Sequence, residues 1–152
     1  MEIEIRKALL SEIKILLDFE KEIISSERPF DNTLKDDEIH YYDLIELIKS
    51  ENAEVLVAVI DGEIIGSGYA KILPAKPYLK HTQYAYLGFM YVKPEFRGQG
   101  VNLKILQSLI ECAKRKNISE VRLEVYNENE IAKKAYLKSG FKPNLLEMRL
   151  EI

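Results

Sequence analysis

The chain has 152 residues, a length suited to one domain around a single core. It is 47% hydrophobic and 31% charged, with a formal net charge of -3 at pH 7. That balance excludes electrostatic binding to nucleic acid or an anionic membrane, which needs clustered Lys and Arg. No apolar run nears the roughly 20 residues required to cross a bilayer. Cys112 is the only cysteine, so an internal disulfide and a cysteine-based zinc cluster are excluded. The first residues, Met1 to Arg6, alternate charged and apolar and do not resemble a secretory signal. The expectation is a cytoplasmic enzyme that holds no metal.

Ile3 and Ile5 alternate with charged neighbours, as in a short half-buried strand. From Ser11, a candidate N-cap, Ile13, Leu16, Leu17, Glu20 and Ile24 keep helical spacing. The stretch from Glu27 to Asn32 has loop chemistry. Tyr41, Leu44, Ile45 and Ile48 then predict a second helix, which His40 opens. Glu54 to Ile60 reads as a buried strand, and Asp61-Gly62 as a hairpin turn into a strand from Ile64 to Leu73.

Pro74 and Pro77 mark a loop or sheet edge, and Gln83 to Val92 forms another strand. A long helix runs from about Gly100 to Lys116. Val121, Leu123 and Val125 alternate with Arg122, Glu124 and Tyr126 as a strand with one apolar face. Asn127 with Glu130 suggests a capping box for a short helix that Gly140 ends. Leu145 to Ile152 reads as a closing strand. The order is β-α-α-β-β-β-α-β-α-β, an α/β fold with a mixed sheet between helices.

Gly98 and Gly100, in Arg97-Gly98-Gln99-Gly100-Val101-Asn102, lie between a strand and a helix. Such glycines let the backbone turn tightly and approach a ligand, and the following helix N-terminus attracts an anion. No Lys-Ser/Thr follows the second glycine, so this is not a Walker loop. By itself the pattern is a weak signal, more often a tight strand-helix connection than a ligand loop.

The segment Val92-Lys93-Pro94-Glu95-Phe96-Arg97-Gly98-Gln99-Gly100-Val101 closely resembles the V-x-P-x-[FY]-R-G-x-G-[IV] motif of the GNAT superfamily of N-acetyltransferases. A second signature, Asn129-x-x-Ala132-x-x-x-Tyr136 followed by Lys138-Ser139-Gly140-Phe141, stands one helix and one strand later. Ile5-Arg6-Lys7-Ala8 is similar to the family's first strand. The resemblance implies a GNAT-like fold whose fourth and fifth strands splay apart, and acetyl-CoA as co-substrate. It implies that Met90, Tyr91 and Val92 flank the pantetheine arm. It further implies that the loop from Arg97 through Gly98, Gln99, Gly100, Val101 and Asn102 to Leu103 cradles the pyrophosphate. Asn129 would bond the cofactor near the pantetheine or thioester. Asn102 departs from the family pattern, which usually has Gly or Ala there.

The resemblance makes Tyr136 the candidate general acid, because a phenol can protonate a departing thiolate. On spacing alone Tyr136 would be one more residue of an apolar helical stripe. A base is also needed, since an alkylamine with a reference pKa of ~10.4 is mostly protonated at neutral pH. Glu124 is similar in position to the glutamate that the ribosomal-protein N-terminal acetyltransferase branch uses as proton acceptor. Glu124 is equally readable as a partly solvated partner of Arg122. The strand from Tyr84 to Val92 has no acidic residue, unlike the histone-acetyltransferase arrangement. His81 precedes that strand as a weaker candidate, and Cys112 has no partnered His nearby in sequence. The resemblance implies direct acyl transfer without a covalent enzyme intermediate.

Glu20, Glu22, Glu27, Asp31, Asp36, Asp37 and Glu38 suggest an acidic rim that attracts cationic amines. Tyr41, Tyr42, Tyr69, Tyr78 and Tyr84 are candidates for an acceptor pocket, although several must be core. The expected partner is a small-molecule or peptide amine, and a homodimer is left open. The alternatives are a catalytically weak acyl-CoA-binding regulatory module and, further off, an unrelated nucleotide-binding domain.

Overall fold

The computed structural model describes residues 2–152. Strands β1 (Glu4–Lys7), β2 (Ala53–Ile60), β3 (Glu63–Pro74), β4 (Gln83–Val92) and β5 (Val121–Arg122) form one sheet in the order β1-β2-β3-β4-β5. The first three pairings are antiparallel and β4 runs parallel to β5. Helices α1 (Ile13–Glu27), α2 (Leu44–Lys49) and α3 (Val101–Arg115) stand between the strands, and α4 (Glu130–Lys138) follows β5.

The apolar run of β2 explains the layering, because a strand covered on both faces need not alternate with polar residues. Val55, Val57 and Val59 pack with Leu16, Phe19 and Ile23 of α1 and with Leu44 and Leu47 of α2. Their neighbours Leu56, Ala58 and Ile60 pack with Ile105, Leu106 and Leu109 of α3 on the opposite face. The turn from β2 to β3 has positive φ at both Asp61 (49°) and Gly62 (81°), as a tight two-residue hairpin requires.

Several local expectations shift. Ser11 does not cap α1; a 3-10 turn, Leu10–Glu12, precedes the helix, and the Glu12 carboxylate accepts from Leu9 N at 2.8 Å. The second helix begins at Leu44, capped by Asp43, so His40, Tyr41 and Tyr42 lie in the segment before it. Asn129, rather than Asn127, caps α4, its Oδ1 accepting from Ala132 N at 3.2 Å. The strand expected from Val121 to Tyr126 pairs only through Arg122, and residues 145–152 join no ladder.

Glu20 corrects the picture of an acidic rim. It is fully buried and accepts from the backbone N–H of Tyr41 at 2.8 Å and of Tyr42 at 2.9 Å. His40 Nδ1 lies 2.8 Å from its other oxygen, and that bond holds the His40 imidazole above its ordinary pKa. Glu20 therefore straps the segment before α2 onto α1 and does not face the acceptor.

β4 carries a bulge where β3 changes register between Ser67 and Tyr69. Phe89 takes a positive φ of 57°, and the buried Ser67 hydroxyl donates to its carbonyl at 2.9 Å. The hydroxyl thus satisfies a buried acceptor at the bulge. Opposite Tyr69, only glycine fits at position 88, since an added Cβ would lie 2.6 Å from the Tyr69 ring. Ser67→Ala should lower stability by about 1–3 kcal/mol, the usual cost of a buried polar group left unsatisfied. Urea unfolding measures it, and an unchanged midpoint would remove the hydroxyl from the account of the bulge.

Candidate active site

β4 and β5 meet only at Ala85–Val121 and Tyr86–Arg122, with Ala85 N bonded to Glu120 O at 3.0 Å. Beyond Tyr86 the remainder of β4, through Met90, Tyr91 and Val92, has no partner on its β5 side. The expected splay is therefore present. Backbone groups of β4 along it can pair with an extended, amide-bearing ligand as another strand would.

At the end of β4 the chain turns through a 3-10 segment, Pro94–Phe96, into the glycine loop. Arg97 folds back, its Nε donating to Val92 O at 2.8 Å and its guanidinium lying 5.7 Å from the Tyr91 ring centre. Gln99 Nε2 donates to Glu95 O at 3.3 Å, which fastens the loop to the turn before it. Gly98 and Gly100 have φ of 77° and 83°, and nothing lies within 4 Å of a Cβ built on either. Glycine is needed here for the backbone angles, while the space beside the loop is open. The first-turn N–H groups of α3, at Val101, Asn102 and Leu103, point out of the helix without intrahelical acceptors. The exposed loop and these donors form a fitting cradle for a pyrophosphate. Asn102 is half-buried at the same turn and leaves the neighbouring backbone donors in place.

Tyr136 lies on α4, half-buried against the α3 side of the sheet, its ring 5.9 Å from that of Phe141. Burial raises its pKa, and the charge of Glu27 raises it further, so the phenol keeps its proton at neutral pH. Asn129, which caps the same helix, uses its side-chain oxygen for the cap, leaving its amide group available as a donor.

Glu124 has a different partner from the one its sequence neighbours suggest. It is exposed on the α1–α2 side and accepts from Tyr86 Oη at 2.9 Å. Arg122 instead binds Glu120 at 2.7 Å and stacks over Tyr84 at 3.9 Å. His81 lies 3.0 Å from the same Glu120 carboxylate, so it belongs to that ion-pair group. Burial raises the pKa of Tyr86, and the Glu124 charge adds to the shift.

Around Glu124 stands an aromatic wall. Tyr42 packs edge-on to Tyr41, Tyr69 and Phe89 at 5.7, 5.6 and 5.3 Å, and Tyr69 lies 6.4 Å from Tyr86. Burial pushes the Tyr69 phenol up to about 12, helped by the Glu124 charge. Tyr78 is 81% exposed and Tyr84 lies beneath Arg122, so neither joins this wall.

Glu27, at the end of α1, is the most informative group that sequence spacing leaves among the rim residues. Burial raises its pKa, and its charge in turn raises those of Tyr41, Tyr126 and Tyr136. The buried Tyr41 hydroxyl lies near both the Glu27 carboxylate and the Tyr126 hydroxyl, with no well-aligned hydrogen bond to either. Tyr126 donates to Asp31 at 3.3 Å and stacks on Phe30 at 5.9 Å. Cys112 is buried, and burial raises its thiol pKa, the opposite of an activated nucleophile.

The acetyltransferase (GNAT) family model matches residues 17–141, most of the chain. A spermidine N(1)-acetyltransferase from Thermoplasma acidophilum is 28% identical over 152 residues, covering 93% of this chain and 89% of that protein. An N-alpha-acetyltransferase from Sulfurisphaera tokodaii is 31% identical over 107 residues, covering 67% of this chain and 64% of the relative. In fold, the chain is similar to a Clostridium acetobutylicum protein solved with acetyl-CoA. That similarity has a TM-score of 0.78 at 20% identity and covers 99% of this chain and 96% of the other. With the motif-bearing loop, the splayed strands and the family match in agreement, the chain belongs to the GNAT family of acetyltransferases and is an N-acetyltransferase.

Proposed function

We propose that the protein moves an acetyl group from acetyl-CoA to a primary amine by direct attack within a ternary complex. The observation that carries this reading is the opening between β4 and β5, with Tyr136 on one side of the sheet and Glu124 on the other. Acetyl-CoA supplies the thioester carbonyl that the amine attacks. The backbone from Gly98 to Leu103, with the fold-back of Arg97 and the Gln99 anchor, holds the pyrophosphate. Met90, Tyr91 and Val92 present the β4 edge to the pantetheine arm, and the Asn129 amide donates to it.

On the amine side, Glu124 accepts the proton that frees the lone pair, with Tyr86 holding its carboxylate in place. Tyr136 donates its proton to the departing thiolate, and its raised pKa keeps that proton available. The acceptor is a cationic amine. Glu27 offers it a carboxylate beside an apolar aromatic wall. The names of the relatives, a polyamine acetyltransferase and a protein N-terminal acetyltransferase, fit that class.

A screen of thioester consumption over polyamines, aminoglycosides, lysine derivatives and peptide N-termini tests the reading. Consumption that depends on one amine class supports it; CoA binding with no consumption over the panel favours a regulatory acyl-CoA-binding module. Glu124→Gln should slow turnover most near neutral pH and progressively less at alkaline pH, where free amine is abundant. A loss of the same size at every pH would assign Glu124 a structural role instead.

A further inference from the structure

Glu20 is the only buried charged side chain among the described residues, and the proposed reaction does not use it. A buried carboxylate is costly unless hydrogen bonds and a countercharge compensate it. Glu20 receives these from three successive residues. Oε2 accepts from the N–H of Tyr41 at 2.8 Å and of Tyr42 at 2.9 Å, and Oε1 meets His40 Nδ1 at 2.8 Å. What the carboxylate adds over an apolar residue at this place is a fixed backbone direction at Tyr41 and Tyr42.

That direction matters on the amine side. Residues 31–43 belong to no helix or strand. Arg28, just past α1, holds the middle of the segment, donating to Lys35 O at 2.7 Å and Asp37 O at 3.2 Å. Its last part is held by Glu20. From there Tyr42 carries the aromatic wall onto Tyr69 and Phe89, and Tyr41 brings its hydroxyl beside Glu27.

His40 is the member of this bond set that meets water, with 53% of its side chain exposed. Glu20 and Lys21 face it from α1, and Glu38 of its own segment lies 3.9 Å from Nε2. The bond to Glu20, and then the Glu20 charge, raise the imidazole pKa; desolvation and Lys21 oppose them, and Glu38 adds to the rise. A pKa raised on folding gives a hold that is complete below the ordinary histidine value of about 6.5 and fades as pH climbs through the raised one. The neutral ring can still donate through Nδ1–H, so the bond then weakens without being lost.

We propose that Glu20 and His40 are positioning residues for the acceptor, a proton-linked latch that sets Tyr41 and Tyr42 so that amine recognition tightens when His40 is charged. The inference rests on the reading of the amine side given above. Acetyl-CoA binding, assigned to the glycine loop and the β4 edge, does not follow the latch. Raising the pH then has two opposed effects: it frees the amine lone pair and loosens the wall that receives it.

The first arm of the test is NMR on the full chain without substrates, following the His40 ring and the Tyr41 and Tyr42 amides through a pH titration. The expected result is a His40 midpoint above that of an ordinary histidine, with both amides shifting at the same midpoint. Glu20→Gln should bring the midpoint down, because an amide oxygen still accepts from both N–H groups while its NH2 favours a neutral ring. An ordinary midpoint in the wild type, amides that ignore it, or a midpoint unmoved by Glu20→Gln overturns the latch. The second arm is steady-state kinetics of His40→Asn, which keeps a donor at the place of Nδ1 on an exposed residue but takes no charge. On the acid side of the midpoint its amine KM should be roughly threefold above the wild type, the scale of an ion pair with one exposed partner. On the alkaline side the two should converge, with kcat and acetyl-CoA affinity unchanged throughout. A KM ratio that stays constant with pH, or a change in kcat or acetyl-CoA affinity instead, overturns the positioning role. Absence of amine-dependent turnover in the wild type would overturn the acetylation reading and the positioning role together. The NMR arm needs no substrate, so it tells that result from failure of the latch itself.

Discussion

Tyr136→Phe should lower kcat by at least about tenfold, a floor below the roughly 100-fold or more that a general acid typically contributes, while acetyl-CoA affinity stays near that of the wild type. The substitution removes one oxygen and keeps the ring, so packing against Phe141 persists. The thiolate leaving from CoA would then have to take its proton from water. Steady-state kinetics with calorimetry separates the two effects. An unchanged kcat would remove Tyr136 from proton transfer, and a matching loss of affinity would make it a binding residue.

The second large effect is expected at the loop. Gly100→Val places a β-branched residue at φ 83°, which costs about 1–3 kcal/mol where glycine costs nothing. Nothing lies within 4 Å of the added Cβ, so the strain at this position comes from the backbone angle. The loop escapes the strain by changing its backbone angles, and the N–H groups at the start of α3 lose their common aim. CoA should bind at least about tenfold more weakly, since 1.4 kcal/mol corresponds to tenfold in an equilibrium constant. Calorimetry with CoA reads this directly, and wild-type affinity would mean that the loop does not hold the phosphates.

What the sequence made legible, and what it hid, follow from the range of the interactions. The hairpin at Asp61-Gly62, the bounds of β4 and the glycine loop all follow from neighbours within a few residues, and each is present. Glu20 looks like a surface acid because the N–H groups it binds lie 21 and 22 positions away. The Tyr86–Glu124 bond spans 38 positions, whereas the nearer Arg122 suggests itself as a partner and binds elsewhere. Likewise the bulge at Phe89 depends on a hydroxyl in another strand. Alternation from Leu146 to Ile152 suggests a closing strand, but the segment joins no ladder, because pairing depends on a partner edge that local alternation does not report.

The splay between β4 and β5 is the feature on which the proposed reaction rests, since in that proposal the thioester and the amine meet across the opening. Its direct test is an initial-rate study that varies acetyl-CoA and the best amine from the screen together, with released thiol and acetylated amine quantified in the same samples. The account predicts intersecting double-reciprocal lines and one acetylated amine for each thiol. Parallel lines, or thiol released without acetylated amine, would contradict direct transfer in a ternary complex.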